Sequence, residues 1–145
     1  MSGSGMVLVC ALELLGKSPE HMPRIEILAS RPPGASSRAA AFVDTSRHII
    51  YLIASAPPFI TAQATVRSGK ECVDQDAVKM IASIIVHELW HLSNGPDEEG
   101  AYYAQLTELQ RLGLGPGRWP YYSVLRAMQA ALEPRHSLRR LKASR

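Results

Sequence analysis

Cysteine is scarce in this 145-residue chain: Cys10 and Cys72 are its only two, far apart and without any C-x-x-C spacing. That excludes a cysteine-ligated zinc cluster and a disulfide-dense scaffold, and leaves two reduced, buried thiols as the expectation. Long hydrophobic runs are lacking too. The apolar stretch Met6–Leu12 is broken by Glu13, is too short to span a bilayer and has no basic residue before it. Neither a membrane segment nor a secretory signal is expected, and a cytoplasmic location follows. Acids are absent from the last eleven residues, and no internal repeat or linker divides the chain.

What is present suits one domain, residues 1–145, with a modest core of its own: 46% of the residues are hydrophobic and 20% charged. The net charge of +3 comes from one end. Arg135, Arg139, Arg140, Lys142 and Arg145 form a basic tail, 135–145, and without them eleven basic residues face thirteen acidic ones. The body is therefore slightly acidic. The tail reads as a solvated, flexible terminus, and nucleic acid is not expected as a partner.

Along the chain, Met6–Leu15 has the composition of a short helix stopped by Gly16, after a flexible Met1–Gly5. Arg24–Ser30 alternates Ile25, Ile27 and Ala29, the period of a half-buried strand. Ala39–Asp44 and the apolar His48–Ala54 are two further strands, and Thr45-Ser46-Arg47 between them makes a hairpin turn. Pro57-Pro58 ends the last strand, and Phe59–Gly69 is ambiguous. From about Asp74 to Ser93 the period changes. Val78, Ile81, Ile85, Leu89 and Leu92 form one helical stripe, with Asp74 or Asp76 at the positive N-terminal end and Asn94-Gly95-Pro96 as the stop. A helix over about Asp97–Leu112 follows, then one over Tyr121–Glu133 ended by Pro134. The order predicts an α+β domain: an N-terminal helix, an antiparallel or mixed sheet of two to four strands, then three helices.

The long helix carries His87-Glu88-Leu89-Trp90-His91. Residues four apart stand one above the other on a helix, so His87 and His91 present two imidazole nitrogens to one metal ion, with Glu88 beside them. Ile84, Ile85, Val86, Leu89, Trp90 and Leu92 leave the helix little water-facing side, and buried polar groups need a partner that a metal ion supplies. A catalytic zinc site takes three protein ligands and keeps one position open. Asp97, Glu98 and Glu99 all stand where the next helix begins. Glu98 opens Glu98-Glu99-Gly100-Ala101, and the small Ala101 lets that helix come close. Asp97 lies six residues after His91, another spacing used for metal ligands. The acids that do not ligate would favour the helix N-terminus.

His87–His91 followed by Asp97-Glu98-x-x-Ala101-Tyr102 resembles the zincin superfamily of metallopeptidases, and most of all its gluzincin branch. There the third ligand is a Glu in an E-x-x-A context on the following helix. The resemblance covers about residues 48–112. The gap from His91 to Glu98 is shorter than in the larger gluzincin peptidases. Asn94 and Asp97 stand where metzincins have Gly and usually His. The resemblance implies a zinc-dependent peptidase with His87, His91 and Glu98 as ligands, Glu88 as general base toward a zinc-bound water, and a peptide or protein as substrate. A tyrosine among Tyr102, Tyr103, Tyr121 and Tyr122 would be the oxyanion donor, and the edge of the Ile49–Ile53 strand would hold an extended peptide. The alternative is a zincin-like regulatory or binding protein that keeps the metal with little or no turnover. His21, His48 and His136 read as surface residues. Oligomeric state is not legible.

Overall fold

The computed structural model describes residues 3–36, 39–67, 72 and 75–143, with side chains described up to residue 133. It is an α+β arrangement of five helices and a three-stranded mixed sheet: α1 Gly3–Leu15, β1 Arg24–Leu28, β2 Ala41–Asp44, β3 Ile49–Ile53, α2 Pro57–Arg67, α3 Asp76–Asn94, α4 Glu98–Arg111 and α5 Trp119–Ala143. A short 3-10 turn, Pro19–His21, leads into β1.

The strands lie in the order β1-β3-β2, with β3 parallel to β1 and antiparallel to β2. The hairpin expected between the last two strands is present. Its turn is tied by Asp44, whose carboxylate accepts from the Ser46 hydroxyl at 2.7 Å and the Arg47 amide at 3.1 Å. His48 closes it with a positive φ of 58°, a conformation uncommon outside such turns. In β3, Ile49, Ile50, Leu52 and Ile53 are all buried, so the central strand is covered on both faces rather than half-solvated.

Of the ambiguous Phe59–Gly69 stretch, Phe59 to Arg67 belongs to α2, which begins at Pro57; residues 68 and 69 lie outside the described residues. The Pro57-Pro58 pair ends β3 and also starts this helix, where proline's missing N–H costs nothing and its fixed φ suits the first turn. Phe59 and Ala62 turn inward against α1 and α3. In α3 the stripe holds: Val78, Ile81 and Ile85 are buried in the core, while Leu89 and Leu92 pack against it half-buried. Asp76 occupies its first turn; Asp74, the other acid offered for that end, lies outside the described residues.

Two expectations are corrected. Cys10 and Cys72 are not separate thiols but a disulfide, with Cα atoms 5.2 Å apart, linking α1 to the segment before α3. Two cysteines distant in sequence give no sign there of meeting in space. The third late helix, α5, starts at Trp119 and passes Pro134 to Ala143. Proline removes one amide from the ladder without ending the helix where the flanking residues sustain it. No helix among the described residues is long and apolar enough to cross a membrane.

Candidate metal centre

The turn between α3 and α4 makes the site. Gly95, with φ 97°, donates its N–H to the His91 carbonyl and ends α3. Two residues later Asp97 caps α4, its carboxylate accepting from the amides of Glu99 at 3.2 Å and Gly100 at 3.3 Å. The chain therefore reverses within Gly95-Pro96-Asp97, and the first residue of α4, Glu98, comes back against the last turns of α3.

Glu98 Oε1 lies 2.5 Å from His91 Nε2 and 3.5 Å from His87 Nε2, and the two Nε2 atoms are 3.2 Å apart. These three residues are the metal-competent group among the described residues, with ligand atoms all within 4.8 Å of one another. A tetrahedral zinc ion with bonds of about 2.0–2.1 Å separates its ligands by about 3.3 Å. The Nε2···Nε2 edge and the His87–Glu98 edge match that. The short His91–Glu98 contact has hydrogen-bond length, and Glu98, one quarter exposed, needs to withdraw by a little under an ångström. Two neutral nitrogens and one carboxylate suit zinc. Of the three candidate acids, Glu98 alone reaches the histidines. Asp97 is engaged in capping, and Glu99 is not part of the group.

Each imidazole is held from behind. His91 Nδ1 is 2.8 Å from the Gly95 carbonyl. His87 Nδ1 is 2.9 Å from Oε1 of Gln105, a buried residue two turns along the same face of α4 from Glu98. Gln105 in turn contacts the fully buried Ser83 at 3.2 Å. The Tyr102 ring packs edge-on against His87, 4.5 Å between centroids. Of the tyrosines offered as oxyanion donors, Tyr102 is the one whose ring packs against His87; Tyr103 and Tyr122 are exposed. Gln105 and Ser83 were not singled out in the sequence. Their one signal there is polarity at otherwise apolar helix positions.

The electrostatics fit a group of this kind. Burial works to push the His87 imidazolium down, but the Glu98 hydrogen bond, the charges of Glu88 and Glu98 and the Gln105 contact outweigh it, and the net shift is upward. The hydrogen bond to His87, opposed by partial burial and aided by both imidazoles, holds Glu98 below the ordinary carboxyl range. Glu88 moves the other way: it is buried, and that desolvation raises its carboxyl against the pull of His87 and His91.

Ala101, expected to permit close approach of α4, is fully buried, and one residue earlier the Trp90 indole fills the space that a Cβ on Gly100 would take. A correction concerns the sheet. The Ile49–Ile53 strand has no edge to offer, because β1 and β2 occupy both of its sides. Toward the start of α3, a recess of about 300 Å³ is lined by Pro57, Pro58, Thr61, Met80 and Trp119. Met80 is seven residues before His87, hence on the same helix face and about 10 Å away along the axis.

Comparison with family models, with curated proteins and with solved structures returned no match to this chain.

Proposed function

We propose that the chain is a small zinc-dependent peptidase of the zincin kind. The observation that carries this reading is the convergence of His87 Nε2, His91 Nε2 and Glu98 Oε1 beside the buried carboxyl of Glu88. A zinc ion bound there supplies a Lewis acid and acidifies a bound water. The remaining work belongs to the chain. His87 and His91 give neutral nitrogens from one rigid helix, and Glu98 offsets part of the metal's charge. Glu88, whose carboxyl is raised above its ordinary value by burial, accepts a proton and hands it on to the leaving amine. The apolar recess beside Met80, on the ligands' face of α3, supports an apolar side chain on the peptide substrate.

Substituting Glu88→Gln tests the mechanism. Zinc content and fold are expected to match wild type while hydrolysis of a zinc-sensitive peptide falls by at least about a hundredfold. Undiminished cleavage by that variant sinks the reading.

One observation favours a second reading, a zincin-like binding protein that keeps the metal without turnover: the strand expected to hold a peptide is the central one. A peptide-library digestion with fully zinc-loaded protein separates the two. Cleavage of any member supports the peptidase, and inactivity across the library at full occupancy supports the binding protein.

A further inference from the structure

We infer that Ser83 and Gln105 are positioning residues that fix which nitrogen His87 presents to the metal; for the metal itself the inference rests on the zinc reading above. The Met80 carbonyl oxygen is only an acceptor, and Ser83 Oγ lies 2.7 Å from it. The single hydroxyl hydrogen of Ser83 is therefore committed to Met80, and Oγ turns lone pairs toward Gln105. At 3.2 Å the partner for those lone pairs is the Gln105 amide NH₂. That orients the side-chain amide, so its Oε1 faces His87 Nδ1 at 2.9 Å. An amide oxygen cannot donate, so Nδ1 carries the hydrogen. In the neutral ring Nε2 is then bare, and Nε2 is the atom 3.5 Å from Glu98 and 3.2 Å from its counterpart in His91.

His91 reaches the same state by a shorter route, its Nδ1 donating to the Gly95 carbonyl. Both rings thus end on main-chain carbonyls, and both bare nitrogens point into one space. The His87 chain is buried along its length, with Ser83 fully inside and Gln105 nearly so, which removes water as an alternative partner. Outer partners of this type hold ring orientation and tautomer at metal sites.

The test has two arms. In the first, nitrogen-15 NMR of zinc-free wild-type protein, at a pH above the His87 titration, reads the tautomer directly. Protonated Nδ1 with bare Nε2 is expected, and a protonated Nε2 overturns the inference whether or not the protein binds zinc. In the second, zinc affinity is measured by chelator competition for Gln105→Leu, Gln105→Glu and Ser83→Ala, with zinc-free melts to confirm folding. Gln105→Leu should weaken zinc by about 10–100-fold. Ser83→Ala, which touches no ligand, should weaken it by a smaller factor by freeing the amide to turn over. Gln105→Glu still accepts from Nδ1 and should retain affinity within a few fold. A merely structural amide predicts the reverse order, with the buried carboxylate most harmful and leucine benign, and that order overturns the inference. Failure of wild type to take up zinc refutes the metal reading instead, and the tautomer arm then decides this one alone.

Discussion

The Trp90 indole occupies the space that a side chain at Gly100 would fill: a Cβ there would fall among its Cζ2, Cη2 and Cε2 atoms. A missing side chain at 100 is what lets α4 lie so close to α3, two residues from Glu98. Alanine is normally the better helix former by about 1 kcal/mol. Here overpacking should outweigh that preference. Gly100→Ala is expected to destabilise the fold by about 1–3 kcal/mol and to weaken zinc as Glu98 is pushed away, read by urea unfolding and chelator competition. A more stable variant with unchanged zinc affinity would show that the contact relaxes freely.

Adjacent acids should separate cleanly by substitution. Asp97→Ala removes the cap of α4, costs about 1 kcal/mol of stability and leaves zinc bound. Glu98→Ala removes the proposed ligand and should lower zinc affinity by orders of magnitude while leaving the cap intact. Metal analysis after dialysis, paired with melting curves, checks both. Zinc lost from the Asp97 variant and kept by the Glu98 variant would reverse the assignment.

The pH dependence of the zinc-free protein follows from three shifts. Glu98 is lowered, so its contribution is present above the ordinary carboxyl value of 4.5 and is lost as pH falls through its own lowered value. His87 is raised, so its contribution is complete below the ordinary 6.5 and is lost as pH rises through its raised value. Glu88 is raised as well, so its share fades as pH climbs above 4.5. Zinc-free stability should therefore be greatest in the mildly acid range and fall toward alkaline pH. Zinc competes with protons for the imidazoles. The melting-temperature gain from zinc should accordingly grow with pH across the same range. A gain that shrinks as pH rises would contradict the ligand set.

Thiol titration of the denatured, unreduced chain should find no reactive cysteine, since Cys10 and Cys72 are paired. Such a bond sits at odds with the reducing cytoplasm expected from the sequence. The sequence separation of 62 corresponds, by loop-closure entropy, to at most roughly 4 kcal/mol. A Cys72→Ser variant should lose up to that amount in urea unfolding. Two titratable thiols in the wild type would contradict the pairing.

Much of this arrangement was legible because it is local. The stripe from Val78 to Leu92, the 87–91 spacing and the hairpin around Ser46 are properties of consecutive residues, and periodicity reads those directly. Glu98 was one of three neighbouring acids, and the choice among them depended on how sharply Gly95-Pro96-Asp97 turns the chain, a matter of three dihedral pairs. The pairing of Gln105 with His87 and of Cys10 with Cys72 joins residues far apart in sequence, and nothing in either neighbourhood announces the other. Pro57-Pro58 is ambiguous in the sequence, since the same dipeptide that terminates a strand also opens a helix. Central placement of β3 likewise depends on β1 pairing directly with it in parallel, although β2 lies between them in sequence.

The disulfide and the histidine-glutamate group divide the chain end to end. One closes a covalent ring over residues 10–72, holding β1, β2, β3 and α2 within it. The other gathers residues 87–98, wholly outside that ring. Because the two closures are in tandem and not nested, neither must thread or wait for the other. Each shortens a different stretch of the unfolded chain, so their entropic contributions are separate. In metal-loaded protein a reductant and a chelator should then lower the stability of the one shared core by amounts that add.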